Sequence, residues 1–100
     1  MSIYNSQKGI PYVYKCTEKT TGRFYIGYRY KYYNKPEDDL GKKYFTSNEY
    51  VKENFNRFDY EITATFNNKK DALKFDGQLI RETQSDLQIN YDRIKKIRRS

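Results

Sequence analysis

A single aspartate stands among apolar residues in a segment near the C-terminus that the sequence predicts to be helical. Asp76 follows Ala72 by four positions and precedes Leu79 by three, so on a helix the three side chains share one face. A carboxylate on an apolar face needs a proton, a partner or a metal ion, because burying its charge alone is costly. Asp76 is therefore a candidate metal ligand. The alternative is an aspartate at the boundary of that face, which contacts solvent or an arginine.

A second group of candidate residues is a set of tyrosines on a predicted hairpin. We expect strands over residues 10–16 and 23–28, joined by a polar turn that contains Gly22. With Thr17 opposite Gly22 across a four-residue loop, Tyr14 lies opposite Tyr25. The same register places Tyr12 opposite Gly27 and pairs Val13 with Ile26 on the other face.

The tyrosine face of this hairpin has the groups needed to hold a water molecule or a phosphate. Arg29 shares the strand parity of Tyr25, so it lies on the same face as the tyrosine pair. Two phenols and a guanidinium can orient a water or a phosphate by hydrogen bonds and charge. The alternative is that these aromatic side chains only pack a sheet.

Six further segments are expected between residue 30 and the C-terminal tail. Residues 30–43 form a loop in which a short helical turn would fit, and Thr46 begins a helix with Glu49 completing a capping box. Val51, Phe55 and Phe58 follow at helical spacing, with Phe58 just beyond the helix end. A strand follows, in which alternation places five side chains on one face: Phe58, Tyr60, Ile62, Ala64 and Phe66.

The last predicted helix covers residues 69–83 and contains Asp76. Asn67 and Asn68 end the preceding strand and cap this helix, and its apolar stripe is formed by Ala72, Leu73, Leu79 and Ile80. Residues 84–86 form a turn and residues 87–91 a short extended piece. The order β-β-α-β-α predicts an α+β fold, a small antiparallel sheet with helices packed on it.

Charge and composition narrow the function further. The chain has a net charge of +7 and a pI near 9.4, which favours a polyanionic partner such as nucleic acid over a basic protein with no special partner. With no histidine and one cysteine, zinc clusters, histidine bases and an internal disulfide are excluded. Neither a signal peptide nor a membrane-spanning run is evident. We therefore expect no membrane partner and a cytoplasmic location (the host cytoplasm for a viral protein, or the nucleus in a eukaryote).

Two tripeptides resemble the motifs that name the GIY-YIG nucleases. Tyr12-Val13-Tyr14 is similar to the first motif, with tyrosine for glycine and valine for isoleucine, and Tyr25-Ile26-Gly27 matches the second. The intervening EKTTGRF resembles the polar hairpin turn of the family. Tyr44-Phe45-Thr46-Ser47 is similar to the segment before its first long helix, with Asn48 where a lysine is common.

The resemblance extends along residues 10–91 and assigns roles to individual side chains. Asp76, between Ala72 and Ile80, corresponds to the metal-binding glutamate of the family, and Asn90 fits its C-terminal asparagine. The resemblance implies a three-stranded antiparallel sheet flanked by helices, and hydrolysis of DNA phosphodiester bonds with one Mg²⁺ or Mn²⁺ ion. No small-molecule cofactor is implied. The catalytic residues carried over are Tyr14, Tyr25, Arg29, Tyr44 and Asn90.

Within this assignment each group has a specific task. Tyr14 would orient or deprotonate the attacking water, and Tyr25 would support Tyr14 or the phosphate. Arg29 would stabilise the developing negative charge, and Asp76 would hold the metal ion. One carboxylate is enough, since Mg²⁺ keeps several waters as ligands.

The expected organisation is a nuclease domain over residues 1–91 and a basic tail over residues 92–100. The tail either contacts DNA phosphates or is simply solvated; its candidate DNA-binding residues are Arg93, Lys95, Lys96, Arg98 and Arg99. The chain resembles the small stand-alone nucleases of mobile elements and bacteriophages. The rival hypotheses are a DNA-binding protein that has lost catalysis on the same fold and, more distantly, a module that binds another protein through its tyrosines.

Overall fold

An antiparallel sheet of three strands lies at the centre of the computed structural model, which describes residues 10–30, 32 and 35–90. Strand β1 (Tyr12–Glu18) is the central strand, between β2 (Phe24–Arg29) and β3 (Phe58–Thr65). The other elements are α1 (Pro36–Asp39), α2 (Glu49–Glu53), a 3₁₀ turn (Phe55–Arg57) and the long α3 (Lys69–Glu82). The predicted α+β class, with a three-stranded antiparallel sheet and flanking helices, is confirmed.

Each face of the sheet supports its own hydrophobic cluster, because successive side chains of a strand point to opposite faces. One face carries an aromatic cluster of buried residues: Tyr12, Tyr14, Cys16, Tyr25, Tyr32, Leu40, Val51, Phe58 and Ile89. The other face packs against α3 through a helix-side cluster of Val13, Ile26 and Ala72, with Phe24, Tyr28, Phe66, Phe75, Leu79 and Ile80 against it. The predicted division of the hairpin into a tyrosine face and an aliphatic face is therefore confirmed.

The predicted register of this hairpin is wrong by two residues. Tyr14 lies opposite Gly27 rather than Tyr25, and Thr17 lies opposite Phe24 rather than Gly22. The other predicted pairs shift likewise, to Tyr12 opposite Arg29 and Val13 opposite Tyr28. The reason lies in the turn, where Gly22 takes a φ of +79° and so belongs inside the loop. Because a shift of two preserves side-chain parity, the faces survive the error.

Strand β3 does not keep one face over its whole length. Val13 pairs with Ala64 but Tyr14 pairs with Ile62, so Thr63 is an extra residue in the ladder. This irregularity exchanges the two faces of β3. Phe58 and Ile62 contact the aromatic cluster, whereas Phe66 packs against the helix-side cluster. The prediction that all alternating residues from Phe58 to Phe66 share one face is therefore wrong.

Helix α2 begins later than the capping-box pattern predicts. Asn48, not Thr46, is its N-cap residue, and the Asn48 side chain accepts a hydrogen bond from the Val51 N–H at 3.0 Å. Thr46 instead has a φ of +74°, a conformation that a β-branched residue seldom adopts. Val51 lies in α2 and is buried, Phe55 lies in the 3₁₀ turn, and Phe58 begins β3, as expected beyond the helix.

Helix α3 agrees with its prediction within one residue at its C-terminal end. The Asn68 side chain accepts a hydrogen bond from the Asp71 N–H at 2.8 Å and so caps the helix. Of the predicted apolar stripe, Ala72 is buried and Leu79 and Ile80 pack against the sheet. Leu73 is instead 45% exposed, and Phe75 takes its place beside Phe66.

The segment after α3 runs along the free side of β2. The predicted turn over residues 84–86 is present, and Gln88 forms a parallel bridge with Phe24. Residues 89–90 are helical rather than extended. The rest of the chain, with the basic tail and its five candidate DNA-binding residues (Arg93, Lys95, Lys96, Arg98 and Arg99), lies outside the described residues. Among the helices of the described ranges, none is long and apolar enough to cross a membrane.

Candidate active site

The hydroxyl group of Tyr14 lies at the centre of a small hydrogen-bond network. It is 3.0 Å from the Tyr44 hydroxyl and 2.9 Å from the Thr46 Oγ1. The Tyr14 side chain is fully buried, whereas Tyr44 is only partly buried. The left-handed backbone of Thr46 belongs to the turn from which its Oγ1 bonds to Tyr14. The network thus connects a buried phenol to one that is partly accessible to solvent.

Gly27 makes room for the Tyr14 ring. A Cβ atom at Gly27 would overlap the Tyr14 hydroxyl and the ring carbon that carries it. The residue directly opposite Tyr14 must therefore lack a side chain. This gives a steric reason for the glycine of the Tyr25-Ile26-Gly27 motif.

Arg29 lies at the margin of the aromatic cluster and is held there by Asp39. Its Nε donates to Asp39 Oδ2 at 2.7 Å and one terminal nitrogen donates to Asp39 Oδ1 at 3.3 Å. The guanidinium carbon stands 4.1 Å from the centre of the Tyr44 ring, a cation–π distance. The Arg29 side chain keeps 26% exposure, whereas Asp39 keeps 1%. Arg29 therefore joins a buried carboxylate to the surface.

Tyr25 completes the group on this face. Its ring lies 6.2 Å from the ring of Tyr14, and its hydroxyl is 3.4 Å from Ser47 Oγ. The structure thus brings together four predicted catalytic residues that come from three separate segments: Tyr14, Tyr25, Arg29 and Tyr44.

Burial determines the protonation of Tyr14. Desolvation raises the pKa of Tyr14 well above its ordinary value, and the neighbouring Tyr44 and Tyr25 raise it further. Tyr14 is consequently a neutral phenol at physiological pH. Arg29 keeps its charge, because the hydrogen bond and charge of Asp39 outweigh burial and raise the net pKa of Arg29.

Asp76 is buried, as predicted, but it belongs to α3 and hence to the other face of the sheet. It shares a helix face with Ala72, a member of the helix-side cluster, and is 8% exposed. Its Oδ1 has no hydrogen-bond partner among the described residues. Burial raises the pKa of Asp76 to about 6. An ionised carboxylate with an orphaned oxygen is a donor that suits a hard cation.

The candidate metal ligand Asp76 is not part of a larger cluster of ligating side chains in the described residues. Across the described ranges, no group of three or more Asp, Glu, Cys or His side chains is placed to hold a metal ion. Since Mg²⁺ often uses one or two carboxylates and several waters, the orphaned oxygen of Asp76 fits such an ion.

Asn90 has both polar atoms of its side chain occupied by one residue. Its Oδ1 accepts from the Ile26 N–H at 2.8 Å, and its Nδ2 donates to the Ile26 carbonyl at 2.8 Å. The amide thus imitates a neighbouring strand beside β2. The contact that the structure gives Asn90 holds the backbone of the Tyr25-Ile26-Gly27 motif rather than facing a substrate.

Sequence reasoning missed Asp39 and Tyr12 as parts of this site. The Tyr12 hydroxyl donates to Asp39 Oδ2 at 2.7 Å, inside the aromatic cluster. Tyr12 shares the parity of Tyr14, so its face was predictable. Asp39 stands in a highly charged segment predicted as a loop, where nothing in the sequence distinguishes it from Glu37 and Asp38.

The chain was also compared with known proteins. No protein-family model, no curated protein and no solved structure matches it.

Proposed function

We propose that the chain is a metal-dependent DNA endonuclease of the GIY-YIG type, which hydrolyses phosphodiester bonds. The observation that carries the proposal is the convergence of Tyr14, Tyr25, Tyr44 and Arg29 on one face of the sheet. The resemblance to the family motifs marks the same four residues, which come from three separate segments of the chain. The basic net charge agrees with a polyanionic substrate.

Arg29 is the group best placed to contact a phosphate. It is charged and partly exposed, and its guanidinium lies over the Tyr44 ring. Arginine presents several N–H donors in a planar fork that matches phosphate oxygens. In the transition state it would stabilise negative charge on the phosphoryl oxygens.

The tyrosines would orient the attacking water or a phosphate oxygen rather than act as bases that remove a proton. A buried neutral Tyr14 is a poor base at physiological pH. Its hydroxyl can instead fix the direction of the Tyr44 hydroxyl, which is closer to solvent. Tyr44 would then hold the attacking water or a phosphate oxygen by a hydrogen bond.

Asp76 would hold the metal ion. When bound, Mg²⁺ would supply positive charge that offsets the negative charge of the phosphodiester. The Asp76 carboxylate must be ionised to bind a cation, so binding competes with its protonation near pH 6.

The second candidate is a DNA-binding protein on the same fold without catalysis. Three observations favour it: Tyr14 is fully buried, the charge of Arg29 is paired with Asp39, and Asp76 belongs to the helix on the opposite face. In this case the basic chain would bind DNA without cutting it.

A plasmid-nicking assay with Mg²⁺ and with EDTA separates the two functions. The proposal expects nicking that EDTA stops and that Arg29→Ala or Tyr14→Phe reduces by about 10²-fold or more, with circular dichroism unchanged. DNA binding, measured in parallel by fluorescence anisotropy, should persist in both variants. Binding without nicking under every metal condition would establish the second candidate, and full activity of Arg29→Ala would remove Arg29 from the site.

A further inference from the structure

Asp39 is a buried carboxylate beside the aromatic cluster, and both of its oxygens are hydrogen-bonded. Its Oδ2 accepts two short hydrogen bonds, from Tyr12 and from Arg29 Nε, both at 2.7 Å. Its Oδ1 accepts a further bond from Arg29. The side chain is 1% exposed. A buried carboxylate is retained only where partners satisfy it, and here both of its oxygens have partners.

The backbone of Asp39 is engaged as well. Its carbonyl oxygen accepts hydrogen bonds from the N–H groups of Lys42, Lys43 and Tyr44 at 3.1, 2.9 and 2.9 Å. The chain therefore turns tightly around Asp39 and arrives at Tyr44 in a fixed position. Asp39 thus holds Arg29 through its side chain and Tyr44 through its backbone. The Arg29 guanidinium in turn lies over the Tyr44 ring.

We propose that Asp39, locked in place by Tyr12, is the positioning residue that aims the Arg29 guanidinium at the scissile phosphate beside Tyr44. The proposal rests on the function proposed above, in which Arg29 contacts the phosphate. Asp39 uses the Nε and one Nη2 donor along one edge of the guanidinium. The remaining three of its five N–H donors, on Nη1 and Nη2, are the ones that this role assigns to the phosphate.

Tyr12 has a defined part in this arrangement. It occupies the position where the resemblance has glycine, and its phenol donates to the same oxygen that accepts from Arg29 Nε. Burial and the bond to Asp39 raise the pKa of Tyr12, so the hydroxyl remains a donor. Because Tyr12 is fully buried, this bond ties the Asp39 carboxylate to the interior of the aromatic cluster.

The test compares Asp39→Asn and Tyr12→Phe with a matched control. Glu18 provides that control: it lies on the same strand as Tyr12, is 3% exposed, and accepts hydrogen bonds from Thr21 and Tyr50 hydroxyls at 2.7 and 3.0 Å. Glu18→Gln thus removes an equally buried, hydroxyl-bonded carboxylate outside the aromatic site. Each variant is assayed for kcat and KM in plasmid nicking, for DNA affinity and for thermal stability.

A positioning role predicts a specific pattern. Asp39→Asn should lower kcat by about 10²-fold with little change in DNA affinity, since misplacing a catalytic group costs about that much. Tyr12→Phe should lower kcat about fivefold, as expected for the loss of one hydrogen bond. Glu18→Gln should leave kcat of the folded protein unchanged.

The double variant Arg29→Ala/Asp39→Asn shows whether Asp39 acts through Arg29. It should be no slower than Arg29→Ala alone, because the loss of Asp39 cannot misplace a guanidinium that is already absent. Additive losses in the double variant would overturn the proposal. So would faster cutting or tighter DNA binding by Asp39→Asn, which would make Asp39 an inhibitor of Arg29.

An activity-independent measurement keeps this proposal separate from the proposed function. In ¹⁵N NMR spectra the Arg29 Nε–H should exchange slowly with water in the natural protein and rapidly in Asp39→Asn. If the natural protein never cuts DNA, the proposed function fails. The positioning of Arg29 by Asp39 is then judged by this exchange rate alone, and equal exchange in both proteins would overturn it.

Discussion

Gly27 is a residue whose identity is dictated by a neighbouring ring. Since a Cβ atom there would overlap the buried Tyr14 phenol, we expect Gly27→Ala to displace that ring and to break its bonds to Tyr44 and Thr46. The expected loss of stability is about 1–3 kcal/mol, as for other overpacked cores, together with a fall in nicking activity. Urea denaturation gives the first quantity.

Gly77→Ala is the matched control for this substitution. Gly77 lies inside α3, and the nearest atom to its hypothetical Cβ is the end of the flexible Arg81 side chain at 3.5 Å. Alanine should therefore stabilise the protein by about 0.5–1 kcal/mol through helix propensity. A Gly27→Ala protein as stable as the natural one would show that the Tyr14 ring can adopt another conformation at no cost in stability.

Asp76 should give the stability of the protein a recognisable pH dependence. Its folded pKa of about 6 lies above the ordinary value of 3.8, so the folded state binds the proton more tightly than the unfolded state. The cost of burying the charge is absent below pH 4, grows between pH 4 and 6, and is complete above pH 6. The shift implies at most about 3 kcal/mol, which solvent screening reduces to about 1–2 kcal/mol.

We therefore expect Asp76→Asn to unfold at a higher temperature than the natural protein at pH 7.5, with the difference vanishing near pH 4. Asp86→Asn, at an exposed aspartate, controls for the loss of one charge. Millimolar Mg²⁺ should stabilise the natural protein and leave Asp76→Asn unchanged. Equal stabilisation of both proteins by Mg²⁺ would place the metal elsewhere.

The sequence was informative about residues on regular elements and silent about those in loops. Strand parity alone put Tyr14, Tyr25 and Arg29 on one face, and helix spacing alone put Asp76 on a buried face. The partner of Arg29 could not be found this way. Asp39 ends the short helix α1, in a segment that the sequence predicts as a loop with no periodic pattern, and its contact with Arg29 depends on tertiary packing.

The extra residue in β3 makes a prediction about elements. Because the two faces exchange at Thr63, Phe66 faces α3, where its ring lies 5.3 Å from that of Phe75. A double-mutant cycle of Phe66→Leu and Phe75→Leu should show a coupling of about 0.5–1.5 kcal/mol. The pair Phe66 and Phe55 should be additive, since Phe55 packs on the other face. Coupling of Phe66 with Phe55 and additivity of Phe66 with Phe75 would mean that β3 is regular.

The errors at the level of elements have a common origin. The hairpin register, the start of α2 and the faces of β3 each depend on one residue in a turn or an irregularity: Gly22, Thr46 and Thr63. Local patterns describe repeating geometry, so they locate strands and helices but not the positions where the repeat is interrupted. The existence and order of the elements were therefore predictable, whereas their exact junctions were not.

The charge of the whole molecule is the basis of a prediction about its C-terminal tail. The tail has five basic residues, Arg93, Lys95, Lys96, Arg98 and Arg99. If each neutralises one phosphate, log affinity falls with log salt. Deletion of residues 93–100 should then make this slope less steep by about 4 to 5. Binding should weaken similarly for all DNA sequences, as fluorescence anisotropy at several salt concentrations would reveal. An unchanged slope would mean that the tail is only solvated.

Asn90 bears on how copies of the molecule behave towards one another. β2 is an edge strand of the sheet. On its outer side the Phe24 N–H donates to the Leu87 carbonyl. The Asn90 side chain forms hydrogen bonds with both the N–H and the carbonyl group of Ile26. A strand with open N–H and C=O groups is a template for another copy. Asn90→Ala would open this template, so sedimentation velocity should reveal concentration-dependent self-association that the natural protein lacks. We thus expect one amide, that of the last described residue, to keep the sheet from extending from one molecule into the next.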